Sequence, residues 1–249
     1  MAEPGGRMRQ LPLDLAGAPS HAEEDFLVGP SNEAAYAAIE AWPRWSDPVL
    51  RLEGPRGSGK THLGAIWAAR AGPVRIAARL VREEDVPRLA AAGAILLEDA
   101  DAGPLDEPAL FHLLNRVRER GGCVLITAAS PPEAWGIATR DLLSRLRLAP
   151  VARLAAPDDG LLKAVLVKLF LDRQLVVDTS VVDFLALRLE RSLAAAGEAV
   201  AALDAEALSA KRRITRPMAA QYLARLTGEE GAQDAGGAAV EAGPDRGRA

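Results

Sequence analysis

The chain has 249 residues, of which 49% are hydrophobic and 26% are charged, and its formal net charge is −4. This composition is typical of a soluble globular protein with one α/β core and a smaller appended subdomain, and it excludes overall disorder. The slightly acidic balance gives no general electrostatic footprint for nucleic acid, so direct DNA binding would have to be local. The single cysteine, Cys123, excludes disulfides within the chain and cysteine-based zinc sites.

The two ends of the chain differ in composition from its centre. Residues 1–22 mix Pro, Gly and Ala, and residues 228–249 contain Gly, Ala, Glu and Asp without hydrophobic periodicity, so we expect a flexible tail at each end. There is neither a secretory leader pattern nor an apolar run of bilayer length. We therefore expect a cytoplasmic protein with no membrane partner.

Between the tails, short apolar runs first alternate with helical patterns. The runs predict five strands, at residues 49–52, 74–78, 94–97, 123–127 and 151–154. Strands separated by helices form a parallel sheet that is covered on both faces. Residues 23–156 are therefore predicted to form an α/β domain with a five-stranded parallel sheet flanked by helices.

After Pro157 the strand pattern stops and apolar residues recur with helical spacing. The predicted helices lie at residues 161–170, 181–189, 193–208 and 218–226. Asp158 and Asp159 begin the first of them, where carboxylates suit the exposed N–H groups and the helix dipole. Residues 157–227 are therefore predicted to form a small helical subdomain.

The sequence GPRGSGKT at residues 54–61 is a complete G-x-x-x-x-G-K-[ST] phosphate loop between a predicted strand and a predicted helix. Glycines let successive backbone N–H groups turn toward phosphate oxygens, and the helix N-terminus faces the same anion. The lysine neutralises the β and γ oxygens, and the threonine hydroxyl is placed to ligate Mg²⁺. The loop predicts nucleotide binding by Gly54, Gly57, Ser58, Gly59, Lys60 and Thr61.

A pair of carboxylates follows the third predicted strand. Downstream of a phosphate loop, this pattern suits the metal side of the site: Glu98 would orient the Mg²⁺ shell, and Asp99 would orient or activate water. Apolar runs that end in an acid are also common strand ends, so the catalytic interpretation depends on the phosphate loop.

Several stretches resemble the AAA+ module of the bacterial replication initiator DnaA. They read FLVGPSNEAA, PVLRLEG, GKTHL, LITAASPP and DLLSRL, at residues 26–35, 48–54, 59–63, 125–132 and 141–146. The resemblance extends over roughly residues 24–226 and includes no counterpart of the initiator's C-terminal DNA-binding domain. It implies an AAA+ P-loop NTPase fold with a helical lid, and ADP or ATP with Mg²⁺ as ligands.

The same resemblance implies roles for individual residues. Arg145 matches the arginine finger, which reaches across a subunit interface to the γ-phosphate of a neighbour's nucleotide. Arg140 and Arg147 lie near it, and both stay open as alternatives. Arg191 matches the second sensor, which touches the bound nucleotide in cis, and Val28 falls in the nucleotide-binding set.

Two positions depart from the family pattern. Glu98 stands where the family usually has aspartate, and the polar first-sensor position falls on Ala129, which leaves Thr127 or Ser130 as substitutes. Weak intrinsic hydrolysis is therefore expected.

An N-terminal peptide, Gln10-Leu11-Pro12-Leu13-Asp14-Leu15, resembles the short segment by which many bacterial proteins dock on the replicative sliding clamp. Leu13 and Leu15 would lie in an apolar groove while Gln10 forms hydrogen bonds, and Pro12 limits the entropy lost on docking. The predicted clamp-binding residues are Gln10, Leu11, Leu13 and Leu15.

These features favour a regulatory adaptor. Bound to the sliding clamp (the β subunit of DNA polymerase III), it would use Arg145 to stimulate ATP hydrolysis on DnaA and so prevent re-initiation of chromosome replication. The alternative is an autonomous AAA+ ATPase or helicase-loader-like factor that hydrolyses its own ATP with Glu98, Asp99 and Lys60. AAA+ modules often associate head to tail, which leaves a homo-oligomer open.

A short basic cluster, Lys211-Arg212-Arg213 with Arg216, precedes the last predicted helix. In an acidic chain such a cluster is typical of a solvated loop, and contact with a partner is its alternative use. Strong direct DNA binding is not expected.

Overall fold

The structure is a computed structural model that describes residues 22–227. Its five strands are β1 (Val49–Glu53), β2 (Val74–Ala77), β3 (Ala94–Glu98), β4 (Cys123–Ala128) and β5 (Val151–Arg153). They form one parallel sheet in the order β2-β3-β4-β1-β5. All five predicted strands are confirmed, and each differs from its predicted bounds by one residue at the carboxyl end.

Nine α-helices accompany the strands within the described residues. Helices α1 (Glu33–Glu40), α2 (Lys60–Ala71), α3 (Val86–Ala91), α4 (Glu107–Glu119) and α5 (Arg140–Leu148) connect or precede the strands. Helices α6 (Asp159–Asp172), α7 (Thr179–Arg188), α8 (Leu193–Ala210) and α9 (Arg216–Thr227) follow β5, as predicted. None of these helices has the length and apolar character needed to cross a membrane.

The sheet is buried on both faces because its strand side chains alternate between two hydrophobic clusters. Leu50 and Leu52 of β1 pack with residues of α1 and α2, whereas Val49 packs with residues of α4 and α5. Apolar residues on both faces explain why the strands appear in the sequence as continuous apolar runs.

The last four helices have a separate hydrophobic cluster. Three of them begin with a side-chain cap: Asp158, Asp178 and Ser192 accept hydrogen bonds from the first-turn amides of α6, α7 and α8. The expected position of Asp158 at the start of a helix is confirmed, since its Oδ1 accepts from the Leu161 amide at 2.8 Å.

The sheet topology brings the phosphate loop and the acidic end of β3 to the same edge of the sheet. In a parallel sheet all carboxyl ends meet at the same edge, and ligands of such folds bind outside it. β1 leads into the phosphate loop, and it lies beside β4, which in turn lies beside β3 and its terminal acid.

Helix α2, which begins at the phosphate loop, is fixed to the fold by Trp67. This side chain is fully buried, stacks on the Trp45 ring at 5.6 Å and meets the Trp42 ring edge-on at 6.3 Å. We expect Trp67→Ala to lower the free energy of unfolding by about 3–5 kcal/mol because it leaves a cavity. Leu187→Ala, at a residue that is 76% exposed, is the control and should change that energy by less than about 0.5 kcal/mol. Denaturant unfolding measures both, and equal losses would contradict this account of α2.

Candidate nucleotide-binding site

The phosphate loop, residues 54–61, depends on glycine for its shape. Gly57 and Gly59 have φ angles of +70° and +103°, which residues with a Cβ rarely adopt. At Gly54 the requirement is steric, because a Cβ atom there would lie 2.6 Å from the Leu154 carbonyl oxygen. Such a conformation lets successive amides face an anion.

Lys60 lies folded into this loop. Its Nζ donates hydrogen bonds to the carbonyl oxygens of Gly54 at 2.6 Å and Pro55 at 2.8 Å. Burial lowers the pKa of the Lys60 ammonium, and the nearby carboxylates of Asp101 and Asp99 act in the opposite direction. The half-buried cation therefore lies where anionic phosphate oxygens would be stronger acceptors than the two carbonyls.

Ser58 gives a second sign that the loop fits a ligand. Its side chain is buried, and its hydroxyl has no hydrogen-bond partner among residues 22–227. An unpaired buried hydroxyl costs about 1–3 kcal/mol, and oxygen-rich ligands such as phosphates supply acceptors. The donor set of the loop thus fits a nucleotide phosphate.

Helix α8 contacts the phosphate loop directly. The Leu193 amide donates a hydrogen bond to the Gly57 carbonyl oxygen at 2.8 Å. A Cβ atom on Gly57 would lie 1.9 Å from the Oγ atom of Ser192, the buried cap of α8. The conformation of the loop and the position of α8 therefore depend on each other.

Arg191 and Val28 are the two other predicted nucleotide contacts. Arg191 directly precedes Ser192, is exposed, and pairs with Asp159 at the start of α6 at 2.8 Å. Val28 is 49% exposed in the segment before α1. Arg191 is thus adjacent in the chain to a residue that packs on the loop, and the contact of Arg191 and Val28 with a nucleotide stays a prediction.

The two predicted acids have different surroundings. Glu98 is held by an ion pair with Arg75 of β2, with Nη2 and Oε1 2.8 Å apart. Asp99 is exposed, has a φ of +53°, and its amide donates to the Thr127 hydroxyl at 3.0 Å. Only Asp99 of this pair acts electrostatically on Lys60.

The same sheet edge has limited capacity for a metal ion. No group of three or more Asp, Glu, His or Cys side chains in the described part of the chain could hold one. Mg²⁺ commonly binds through one or two protein groups together with substrate phosphates. The exposed Thr61 and the arginine-paired Glu98 fit that mode only in company with a bound nucleotide.

Asp101 is a site residue that sequence reasoning missed. Its Oδ2 accepts hydrogen bonds at 2.9 Å from the amides of Ala129 and Ser130 and from the Ser130 hydroxyl. Burial alone would raise the pKa of Asp101, but these hydrogen bonds outweigh it and the pKa lies below its usual value. An ionised carboxylate is thus held by the loop that contains Ala129, the residue on which the family resemblance places the first sensor. The available signal was a third acid two residues after Asp99.

The three arginines left open for the finger differ in their contacts. The Arg145 guanidinium lies over the Phe111 ring of α4, 4.8 Å from its centroid, and the side chain is half-buried. Arg147 pairs with Glu133, with Nε and Oε1 2.6 Å apart. Arg140 is exposed at the start of α5. An aromatic face orients a guanidinium without consuming its N–H donors, whereas a carboxylate partner occupies them.

Comparisons with known proteins agree with this geometry. Residues 162–223 match the family model of the Hda lid domain. An uncharacterized protein of Haemophilus influenzae is 28% identical over 188 residues, which cover 71% of this chain and 81% of that protein.

Solved structures show the same fold. Domain III of the Thermotoga maritima replication initiation protein DnaA has a TM-score of 0.68 and 22% identity, over 81% of this chain and 95% of that domain. AMPPCP-bound DnaA from Aquifex aeolicus has a TM-score of 0.64 and 17% identity, over 75% of this chain and 66% of that one. The predicted fold, an AAA+ P-loop NTPase with a helical lid, is confirmed.

The contact between Gly57 and the lid can be tested with a matched glycine. Gly57→Ala should weaken ADP binding, because the new Cβ clashes with Ser192, and a penalty of about 1.4 kcal/mol corresponds to a roughly tenfold loss. Gly121 has a φ of +69°, nearly that of Gly57, but nothing lies within 4 Å of its hypothetical Cβ. Gly121→Ala therefore reproduces the backbone strain without the clash and should keep ADP affinity. Titration calorimetry compares the two, and equal losses would exclude a role for the lid contact.

Proposed function

We propose that this Hda/DnaA-like AAA+ protein binds ADP or ATP with Mg²⁺ and, docked on the DNA polymerase III sliding clamp, stimulates hydrolysis of ATP on DnaA. The observation that carries the proposal is an Hda-type lid, residues 162–223, in a DnaA-like fold and in contact with a complete phosphate loop. Stimulated hydrolysis would convert the initiator to its ADP form and so prevent re-initiation.

In this proposal the protein's own nucleotide is chiefly a structural ligand. The loop amides and Lys60 hold its phosphates, and Mg²⁺, coordinated with help from Thr61 and Glu98, neutralises part of their charge. Glu98 is paired with Arg75, and the first-sensor position is Ala129, so few groups are placed to activate water. A ligand that binds only the folded state stabilises it, and here it would also fix the lid against the loop.

Arg145 is the group donated in trans. A fixed planar cation stabilises charge that develops on the transferred phosphoryl group, and this contribution reaches several orders of magnitude in rate. Arg145 has no carboxylate partner among residues 22–227, and Phe111 holds its guanidinium in place. Both features favour it over Arg147, whose head group is already paired with Glu133.

Clamp docking rests on the sequence of residues 10–15, which lie outside the described residues. A peptide tethered to the folded part raises the effective concentration of that part near its partner. Docking on a DNA-loaded clamp would thus confine the stimulation of DnaA to DNA that carries a clamp.

An autonomous ATPase is the second candidate, and one observation favours it. Asp99 and Asp101 both act on Lys60, so carboxylates are present at the hydrolytic edge of the sheet. Phosphate release by the purified protein, alone and then with DnaA-ATP and DNA-loaded clamp, separates the two functions. High turnover alone that the partners leave unchanged would reject the adaptor and favour the ATPase.

Replacing Arg145 tests the trans contribution. Arg145→Ala should reduce the stimulated rate of DnaA-ATP hydrolysis by about 10³-fold or more, because the transition-state cation is lost. ADP binding and clamp binding should be unchanged, since neither site includes this residue. Arg147→Ala removes the same charge from the same helix and should keep most of the stimulation. If Arg147→Ala abolishes stimulation and Arg145→Ala does not, Arg145 is not the finger.

Replacing Gln10 and Leu13 together by Ala tests the clamp peptide. The double variant should no longer be retained by immobilised clamp, because both the polar anchor and an apolar anchor are removed. Its melting temperature should equal that of the parent, since the peptide precedes the described residues that form the hydrophobic clusters. Asp14→Asn changes the same peptide between its anchors and is the control. Full retention of the double variant would exclude this peptide as the docking segment.

A further inference from the structure

Five exposed cations of the lid lie close to one another, two of them by contact with one aromatic ring and three by their position in the chain. Arg188 ends α7 and Arg216 begins α9, and their guanidinium carbons lie 4.1 and 5.0 Å from the centroid of the same Phe184 ring. The other three, residues 211–213, lie within five positions of Arg216 in the chain, at most about 17 Å away. All five side chains are exposed. These residues form what we call the lid basic surface.

The charge of this surface is not neutralised by ion pairs within the described residues. None of the five has a carboxylate partner within residues 22–227, whereas twelve other Lys and Arg side chains there do. The same separation of charge is present in the sequence, since residues 207–228 contain no Asp or Glu but five Lys or Arg, four of which belong to this surface. Clustered like charges repel one another, and a bound polyanion would relieve that repulsion.

Two further features match phosphate groups. Four of the five cations are arginines, whose planar forks pair with phosphate oxygens in a bidentate manner. Helix α9 begins at Arg216, so its positive end lies at the same surface. A groove of about 600 Å³ between α7, α8 and α9 is lined by Arg188 together with Glu190 and Glu198. The lid basic surface therefore ends at Arg188, where acidic side chains begin.

We propose that the lid basic surface binds the phosphodiester backbone of duplex DNA without reading its sequence. A protein with a net charge of −4 is repelled by DNA as a whole, so contact requires a local surface of unpaired cations. A single strand would need an aromatic stacking platform. Here two guanidinium groups already lie over the Phe184 ring, so the surface offers cations rather than a bare ring.

We expect this binding to be weak and strongly dependent on salt, because only a local surface of an otherwise acidic protein is basic. Each neutralised phosphate adds about −0.9 to the slope of log affinity against log salt, so five contacts give a slope of up to about −4.5. The proposal is independent of the proposed function, because it is measured on the protein alone.

The test is fluorescence anisotropy of a labelled duplex of about 20 base pairs with the full-length protein, at about 25 to 150 mM salt. The double variant Arg212→Ala, Arg213→Ala should reduce the magnitude of the salt slope by about 2. The control is Arg116→Ala, Arg120→Ala, which removes the same charge from two exposed positions, one in α4 and one directly after it, that also have no carboxylate partner in the described chain. Its slope should equal that of the parent. Equal melting temperatures verify that both variants are folded.

Four results would overturn the proposal. The first is no duplex binding at the lowest salt concentration, and the second is an equal change of slope in the control variant. The third is displacement of the duplex by a polyglutamate peptide at the same charge concentration, which would indicate an acidic protein partner. The fourth is tighter binding of a single strand than of the duplex, which would indicate base stacking.

Discussion

The contact between the phosphate loop and the lid determines how the parts of this protein act on one another. Leu193, at the start of α8, donates its amide to the Gly57 carbonyl oxygen, and Ser192 fills the space that a side chain on Gly57 would need. The loop must therefore keep its left-handed glycine conformation for the lid to approach. Conversely, a lid that moves away breaks a hydrogen bond to the loop that would hold the nucleotide. A nucleotide held by the loop would therefore be linked to the lid through this direct contact, without the need for a long path.

At the carboxyl edge of the sheet, some charged side chains have a partner of opposite charge or a set of hydrogen bonds, and others do not. Arg75 holds Glu98, and the loop amides after β4 hold Asp101, while Asp99 is exposed. Lys60 is half-buried and donates hydrogen bonds to two carbonyl oxygens, which phosphate oxygens could replace as stronger acceptors. This arrangement favours phosphate binding over water activation.

A buried ion pair connects this edge with helix α5. Arg51 and Glu53 of β1 pair while only 7% and 8% of their side chains are exposed, and Arg51 also donates to the Ala149 carbonyl oxygen at 3.3 Å. Burial raises the pKa of Glu53, and the charges of Arg51 and Arg153 oppose that shift. Burying charge is costly unless the geometry is well satisfied, so the pair is better explained by orientation than by stability. It joins the strand that leads into Gly54 to the end of the helix that carries Arg145.

The helices and strands could be predicted from the amino-acid sequence, and so could the kind of chemistry that each motif indicates. The strands were predictable because doubly buried strands are continuous apolar runs, and the phosphate loop because its glycines and lysine have fixed spacing. The contacts between side chains became apparent only in the folded chain: Glu98 with Arg75, Asp101 with the loop after β4, Arg145 with Phe111, and Ser192 with Gly57. These contacts join residues far apart in the chain, and their partners follow from strand order and helix packing. Local sequence patterns record periodicity and spacing, and they contain no information on which distant side chains meet.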